Sequence, residues 1–320
     1  MAGSFCPKTW ELKNRGNEMQ YRSANDYMKE VFGRKIYKIS INGGFTCPNR
    51  DGTLGTGGCI FCSGEGSGDF SEDAALSVSE QIENGKKRVE AKLPKSADKT
   101  LPQYMAYFQA FTNTYAPIEK LRKLFTEAIQ HPDIVGISVA TRPDCLPEDV
   151  IELLYELNII KPVWVELGLQ TVHQRTAEYI RRGYELPCYT DALKRLTGRV
   201  SHIITHVILG LPGETKEDML ETVRFVGDIA MIAPKNLIGI KLQLLHVIRG
   251  TDLEKDYLDG KFDCLTLEEY ADLIHDAIDM LPDDIVVHRI TGDGAKRTLV
   301  APLWSADKKR VLNTLNKILK

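Results

Sequence analysis

Residues 41–70 read INGGFTCPNRDGTLGTGGCIFCSGEGSGDF. The stretch follows a short apolar run, Ile36–Ile41, and carries Cys47, Cys59 and Cys62. Eleven residues separate the first two cysteines and two separate the last pair. The segment is rich in glycine, so it is a long shaped loop following a strand. Loops of this length inside compact domains are usually functional or disordered. Thiolates gathered on one loop suit zinc or an iron–sulfur cluster.

Working outward, short β-branched runs alternate with amphipathic segments. The expected strands are Ile36–Ile41, Tyr104–Ala110, Ile134–Ala140, Val163–Leu169, Ile203–Leu209, Ile238–Leu245 and Ile285–Ile290. Their near-continuous hydrophobicity fits parallel strands covered on both faces. Helical patterns lie between them: Pro117–Gln130, Glu148–Asn158, Gln174–Arg182, Tyr189–Thr197, Lys216–Ala230 and Leu267–Met280. Alternation of this kind argues a parallel α/β fold. Periodicity alone does not separate an open doubly wound sheet from a barrel, but in both the carboxyl ends of the strands carry the site.

The chain has 320 residues, 43% of them hydrophobic and 27% charged. A chain of this length buries most of its unfolded surface, which excludes a disordered or disulfide-stapled mini-protein. Its seven cysteines are odd in number and unevenly spread, unlike a disulfide framework. No run of about 18 apolar residues marks a membrane span, and the start lacks a secretory signal. A cytoplasmic location is the expectation. The formal net charge is −3, but residues 1–50 hold nine basic and four acidic residues, a net of +5. Such a basic end either meets a polyanion or is an ordinary solvated face.

The three thiols admit several readings. A structural zinc site wants a fourth ligand, and no histidine occurs before His131. A dithiol redox pair, Cys59 and Cys62, leaves Cys47 unused. A [4Fe–4S] cluster with three protein thiolates uses all of them and leaves one iron open to a small molecule. A binding protein that holds a metal without catalysis is the alternative of a different class.

Cys47 to Cys62, with Phe61 before the last cysteine, resembles the cluster loop of the radical S-adenosylmethionine (SAM) superfamily. The wider text GGFTCPNRDGTLGTGGCIFCS, with YRSANDYMKEVFGRKIYKISI upstream, is similar to the YhcC/YtqA-like radical SAM proteins. These are relatives of the radical SAM domain of the elongator catalytic subunit. The resemblance covers roughly residues 20–300. It implies an α/β fold of the partial (β/α)6 TIM-like barrel type with an N-terminal extension. The divisions expected are a basic extension over residues 1–33 packing on the barrel, a core over 34–300, and a C-terminal helix over 301–320.

The same resemblance implies Cys47, Cys59 and Cys62 as ligands of a [4Fe–4S] cluster and SAM as its partner. Electron transfer to SAM would yield methionine and a 5′-deoxyadenosyl radical that removes a substrate hydrogen. Gln109, Phe111 and Thr112 occupy the place of a methionine-binding segment in relatives. Arg142 lies in Thr141–Arg142–Pro143–Asp144, resembling a segment of the elongator-like branch. Gln170 falls where relatives contact the ribose, Arg182 where they reach the SAM carboxylate, His206 at a polar SAM contact, and His246 at the adenine end. Glu166, which strand alternation can turn inward, is either a ligand contact or a structural brace. Gly210 and Gly213 are expected to shape the turn after the fifth strand. Cys145, beside that elongator-like segment, is a lesser candidate.

For substrate, the resemblance points to tRNA, with conversion of 5-carboxymethylaminomethyl to 5-aminomethyl uridine at the wobble position. The chain ends about 30 residues after Ile290, without room for an acetyltransferase half. The basic N-terminal stretch would meet phosphates, and Lys86–Arg88 and Lys308–Arg310 either add phosphate contacts or are solvated surface. Arg142, Arg182, His206 or His246 would pair with the substrate carboxylate. An electron donor such as flavodoxin or ferredoxin is implied, and no membrane. The other reading is a radical SAM oxidoreductase acting on a small, porphyrinogen-like molecule.

Overall fold

The computed structural model describes residues 21–64, 66, 72–93, 103–235, 237–292 and 296–319. Its strands are β1 (Arg22–Ser23), β2 (Tyr37–Ile41), β3 (Tyr104–Phe108), β4 (Ile134–Thr141), β5 (Val163–Gln170), β6 (His202–Leu209), β7 (Ile238–Leu244), β8 (Val247–Ile248), β9 (Val286–Arg289) and β10 (Leu299–Ala301). Its helices are α1 (Ala24–Phe32), α2 (Val78–Glu90), α3 (Ile118–Gln130), α4 (Glu148–Ile160), α5 (Gln174–Tyr179), α6 (Leu186–Leu196), α7 (Lys216–Ile232), α8 (Asp252–Leu258), α9 (Leu267–Asp279) and α10 (Lys308–Ile318).

Eight strands form one sheet in the order β1-β9-β7-β6-β5-β4-β3-β2, every neighbouring pair parallel. Residues of β3 to β7 and β9 line a common cavity, so the sheet curls into a partial barrel. The helices pack outside it, and a large apolar core fills the space between, from Ile39 and Phe108 to Leu242 and Ile274. β8 and β10 make a separate antiparallel ribbon.

All seven expected strands are present within a residue or two at most of their ends. The helix expected over Gln174–Arg182 stops at Tyr179, because Arg181 turns to φ +55° and reverses the chain. Helix α6 starts at Leu186, ahead of the expected Tyr189, with Pro187 in its first turn. The C-terminal helix begins at Lys308; residues 301–307 end β10 and form a short 3-10 turn. Helices α1, α2 and α8 are additional to the expected ones, although Ala24, Tyr27, Met28, Val31 and Phe32 of α1 recur at helical spacing. Helix α2 has a capping box, Ser77 with Glu80.

Below the cavity, at the amino ends of the strands, Tyr27 of α1 packs with Trp164, His202 and Ile204. β1 pairs with β9 beside it. The described part of the N-terminal segment therefore closes the barrel bottom; residues 1–20 lie outside the described residues.

Candidate active site

A cavity of about 340 Å³ opens at the carboxyl ends of the strands. Cys47, Cys59 and Cys62 line it together, and no disulfide joins them. The loop that brings them there is held from two sides. Asn49 donates from Nδ2 to the Arg181 carbonyl at 2.7 Å and reaches Cys59 Sγ at 3.5 Å. Arg50 grips the loop from within, donating to the carbonyls of Cys62 and Ser63 at 2.9 and 2.6 Å. Ile60 enters a small apolar cluster with Ile180, Leu211, Val247 and Leu253. Gly183 permits the close approach. Its φ is +83°, and a Cβ there would fall 2.8 Å from Asn49 Oδ1. Burial pushes the Cys59 thiol up to about 11 and raises Cys62 as well. Holding a metal would release those protons.

Around the thiols stand the other expected site residues. Gln109, Phe111, Thr112, Arg142, Glu166, Gln170, Arg182, His206 and His246 all line the same cavity. Among the described residues three non-glycines have positive φ: Phe111, Gln170 and Arg181. Two of them line the cavity and the third docks the cysteine loop. Backbone strain of this kind collects at functional sites. Gln109 donates to Ser40 Oγ at 2.8 Å, and Gln170 accepts from the Tyr184 hydroxyl at 3.1 Å. Thr112 ties its backbone to Thr46 at 3.1 Å. The turn glycines Gly210 and Gly213 both have positive φ.

Arg182 is only 2% exposed. Two of its guanidinium nitrogens donate to the carbonyls of Leu169, Thr171 and Tyr184, but the third, Nη2, is buried without a hydrogen-bond partner among the described residues. A buried guanidinium donor without an acceptor is costly. An anionic group in the cavity would satisfy it, which together with the three thiols fits a cluster and an amino-acid carboxylate.

Deeper in the barrel, Glu166 is 1% exposed and fully engaged. Its Oε1 accepts from Lys38 at 2.5 Å and Ser138 at 2.8 Å. Its Oε2 accepts from His206 at 2.8 Å and from Lys241. Of the two roles open to Glu166, this geometry is that of a brace. Attraction from Lys241, Lys38 and His206 outweighs burial and holds its carboxyl well below the usual range.

Two sequence expectations change here. His206 is no cationic partner for a carboxylate, because burial and Lys241 push its imidazole down to about 4. Arg142 is committed to Asp144 through two hydrogen bonds, of 2.9 and 2.7 Å, and to the Arg182 carbonyl at 2.9 Å. The basic surface also shrinks. Lys38 points into the barrel, Arg22 and Lys29 pair with Glu30 and Asp26, and Arg50 braces the cysteine loop. Lys86 pairs with Glu83 and Asp133, and Arg88 with Glu72. Cys145 is buried behind the cavity, its thiol pushed up to about 12. Lys38, Lys241 and Arg289 escaped the sequence reading. Their signal was single charges inside otherwise apolar parallel strands.

The Radical SAM superfamily description matches residues 41–226, and the Radical SAM C-terminal domain matches residues 238–320. YtqA of Bacillus subtilis (strain 168), named an uncharacterized protein, is 43% identical over 94% of this chain and 90% of its own length. This chain belongs to the radical SAM superfamily, in its YhcC/YtqA-like family. This radical SAM protein is therefore an enzyme whose cofactors are a [4Fe–4S] cluster and SAM. More distantly, a tRNA uridine(34) acetyltransferase of Dehalococcoides mccartyi is 26% identical over 53% of this chain and 36% of its own. The solved archaeal Methanocaldococcus infernus Elp3 shares the fold, with a TM-score of 0.62 at 17% identity. That match covers 89% of this chain and 64% of the other. Among the described residues no helix is long and apolar enough to cross a membrane.

Proposed function

We propose that this radical SAM enzyme acts on tRNA, converting 5-carboxymethylaminomethyl uridine to 5-aminomethyl uridine at the wobble position. The observation that carries the reading is the distant kinship with a tRNA uridine(34) acetyltransferase over 53% of this chain. When bound, the cluster and SAM would supply the one-electron chemistry that takes a hydrogen atom from the carboxymethyl CH2; with loss of a second electron and addition of water the two carbons leave as glyoxylate and the amine remains.

The protein's own residues position and shield. Cys47, Cys59 and Cys62 hold the cluster, and Asn49 and Arg50 keep their loop in place. Arg182 offers Nη2, unpartnered among the described residues, to the SAM carboxylate. Gln109, Phe111 and Thr112 present the end of β3 to the methionine portion, Gln170 the end of β5 to the ribose, and His246 the loop after β7 to the adenine. Arg142, tied to Asp144, sets the position of Arg182 by donating to its carbonyl. The electron comes from a small donor such as flavodoxin or ferredoxin, in the cytoplasm.

The test is anaerobic incubation of the reconstituted enzyme with SAM, dithionite and bulk tRNA, followed by mass spectrometry of the nucleosides. Loss of the carboxymethyl derivative with matching gain of the aminomethyl one is the expected result. Deoxyadenosine formed without any change in tRNA would overturn the tRNA reading and point to a small-molecule substrate.

A further inference from the structure

The barrel interior has two levels. Gln170, Arg182 and the thiols lie at the rim, where the strands end. Deeper, Lys241 on β7 reaches Glu166 on β5 and places its Nζ 4.9 Å from the centre of the Tyr107 ring on β3. Lys38 on β2 bonds the other oxygen of Glu166, its Nζ 4.8 Å from the same ring. These side chains span the interior from strand to strand and form its floor.

Gln243 stands on β7 between the two levels. Strand alternation puts it on the same face as Lys241, and both line the cavity. Leu242 and Leu244, on the opposite face, belong to the large core. Two residues separate Gln243 from Lys241, so it sits roughly 6–7 Å above the floor at ordinary strand rise. Gln243 is therefore the first side chain of β7 over the closed floor. Its register neighbour on β6 is Ile208, which offers no polar group.

Three glutamine carboxamides line the cavity. Gln109 is engaged with Ser40 and Gln170 with Tyr184. Gln243 is half-buried and makes no hydrogen bond among the described residues. A carboxamide holds donors and an acceptor side by side in one plane. A ligand with a donor beside an acceptor satisfies both at once, and side-chain amides read base edges in this paired way. The imide edge of uracil, N3–H next to a carbonyl, is such a group. The adenine of SAM is another, but its proposed place is at His246, beyond the end of β7 and above the level of Gln243.

We propose that the Gln243 carboxamide is a specificity-determining contact to the substrate, pairing with the imide edge of a pyrimidine base lying over the floor. The identification of that base as uracil rests on the wobble-uridine reading above. In uracil C5 adjoins the C4 carbonyl. A base held by its N3–C4 edge at Gln243 thus keeps the reacting C5 arm beside the held edge and above the floor.

The experiment is calorimetric binding to the reconstituted full-length enzyme with SAM. The ligands are 5-carboxymethylaminomethyl uridine, its 3-deaza counterpart (C–H in place of N3–H) and free uracil. In the wild type the parent nucleoside binds about tenfold or more tighter than the 3-deaza compound, as expected when a site built to pair a polar group meets an analogue lacking it. In Gln243→Leu and Gln243→Met the preference collapses to about twofold, while SAM affinity, titrated separately, stays within about twofold of wild type. A preference that survives in both variants overturns the proposal. So does a tenfold loss of SAM affinity, which would place the carboxamide on the adenine. Melting temperatures show whether each variant folds; if Gln243→Leu does not, Gln243→Met decides. Should neither nucleoside bind the wild type, the wobble-uridine reading fails instead, and free uracil decides the contact. Saturable uracil binding that Gln243→Leu weakens about tenfold would still support it. Absence of uracil binding, or binding indifferent to the substitution, would overturn it.

Discussion

The rim and the floor of this barrel are built from the same strands by different means. At the rim, loops do the shaping: a glycine-rich segment carries three thiols, and left-handed Phe111, Gln170 and Arg181 bend the chain around them. One guanidinium nitrogen there lacks a partner among the described residues. At the floor, mid-strand side chains are locked by register, and Glu166 accepts four hydrogen bonds. The rim is open for a cofactor to complete, while the floor is a rigid charged platform. Substitutions at the two levels should therefore fail differently, the first through cofactor content and the second through stability.

The sharpest division comes from the thiols. Each of Cys47→Ala, Cys59→Ala and Cys62→Ala should lower SAM cleavage by roughly a hundredfold or more, since metal sites do not tolerate loss of a ligand. Iron content should fall with it, while the melting temperature of the metal-free protein hardly moves. A metal-free Cys59→Ala that unfolds would erase the contrast with the floor.

Glu166→Gln should do the reverse. It keeps the shape but leaves the buried Lys241 and the half-buried Lys38 without their counter-charge, a loss of roughly 3–5 kcal/mol. Denaturant titration of the metal-free variant would measure it. An unchanged midpoint would mean the floor is no brace.

His206 gives the pH signature of the floor. Its folded pKa of about 4 lies below the ordinary 6.5, so the folded state refuses a proton that the unfolded chain accepts. Stability present above pH 6.5 should therefore fall as the pH drops from about 6.5 towards 4. The contribution at pH 5 is about 2 kcal/mol. Glu166, Lys241 and Arg289 face this imidazole, and His206→Gln should flatten the slope by that amount. Equal slopes in the two proteins would contradict the neutral buried state.

The smallest effect expected is again at the rim. Gly183→Ala forces a left-handed alanine, about 1–2 kcal/mol, and pushes Cβ onto Asn49. Reconstitution should yield less cluster per chain, read from iron content and the visible absorption. A variant with full cluster loading would show that Asn49 is dispensable for the loop.

The three thiols of the rim stand out in the sequence, whereas of the floor only Glu166 and His206 do. Cys47, Cys59 and Cys62 announce themselves by chemistry and spacing on one glycine-rich loop, and the apolar runs mark seven of the eight strands of the sheet, all but the two-residue β1. Lys38 in YKISI, Glu166 in VWVELGLQ and Lys241 in IGIKLQL each look like one stray charge in a buried strand. Only the strand order and register bring them together, and neither can be read from local periodicity. For the same reason the basic residues near the amino end suggested a polyanion face, when several of them are spent inside the molecule. Arg142 and His206 line the cavity, but their charges depend on neighbours, Asp144 and Lys241, the second of them far off in sequence.

The most direct measurement is anaerobic reconstitution of wild type and the three cysteine variants with iron and sulfide, followed by SAM, dithionite and tRNA. Wild type should take up a [4Fe–4S] cluster and release 5′-deoxyadenosine at a rate that tRNA raises, and each variant should do neither. A wild type that takes up no cluster, or variants that keep both cluster and deoxyadenosine formation, would contradict the assignment of Cys47, Cys59 and Cys62.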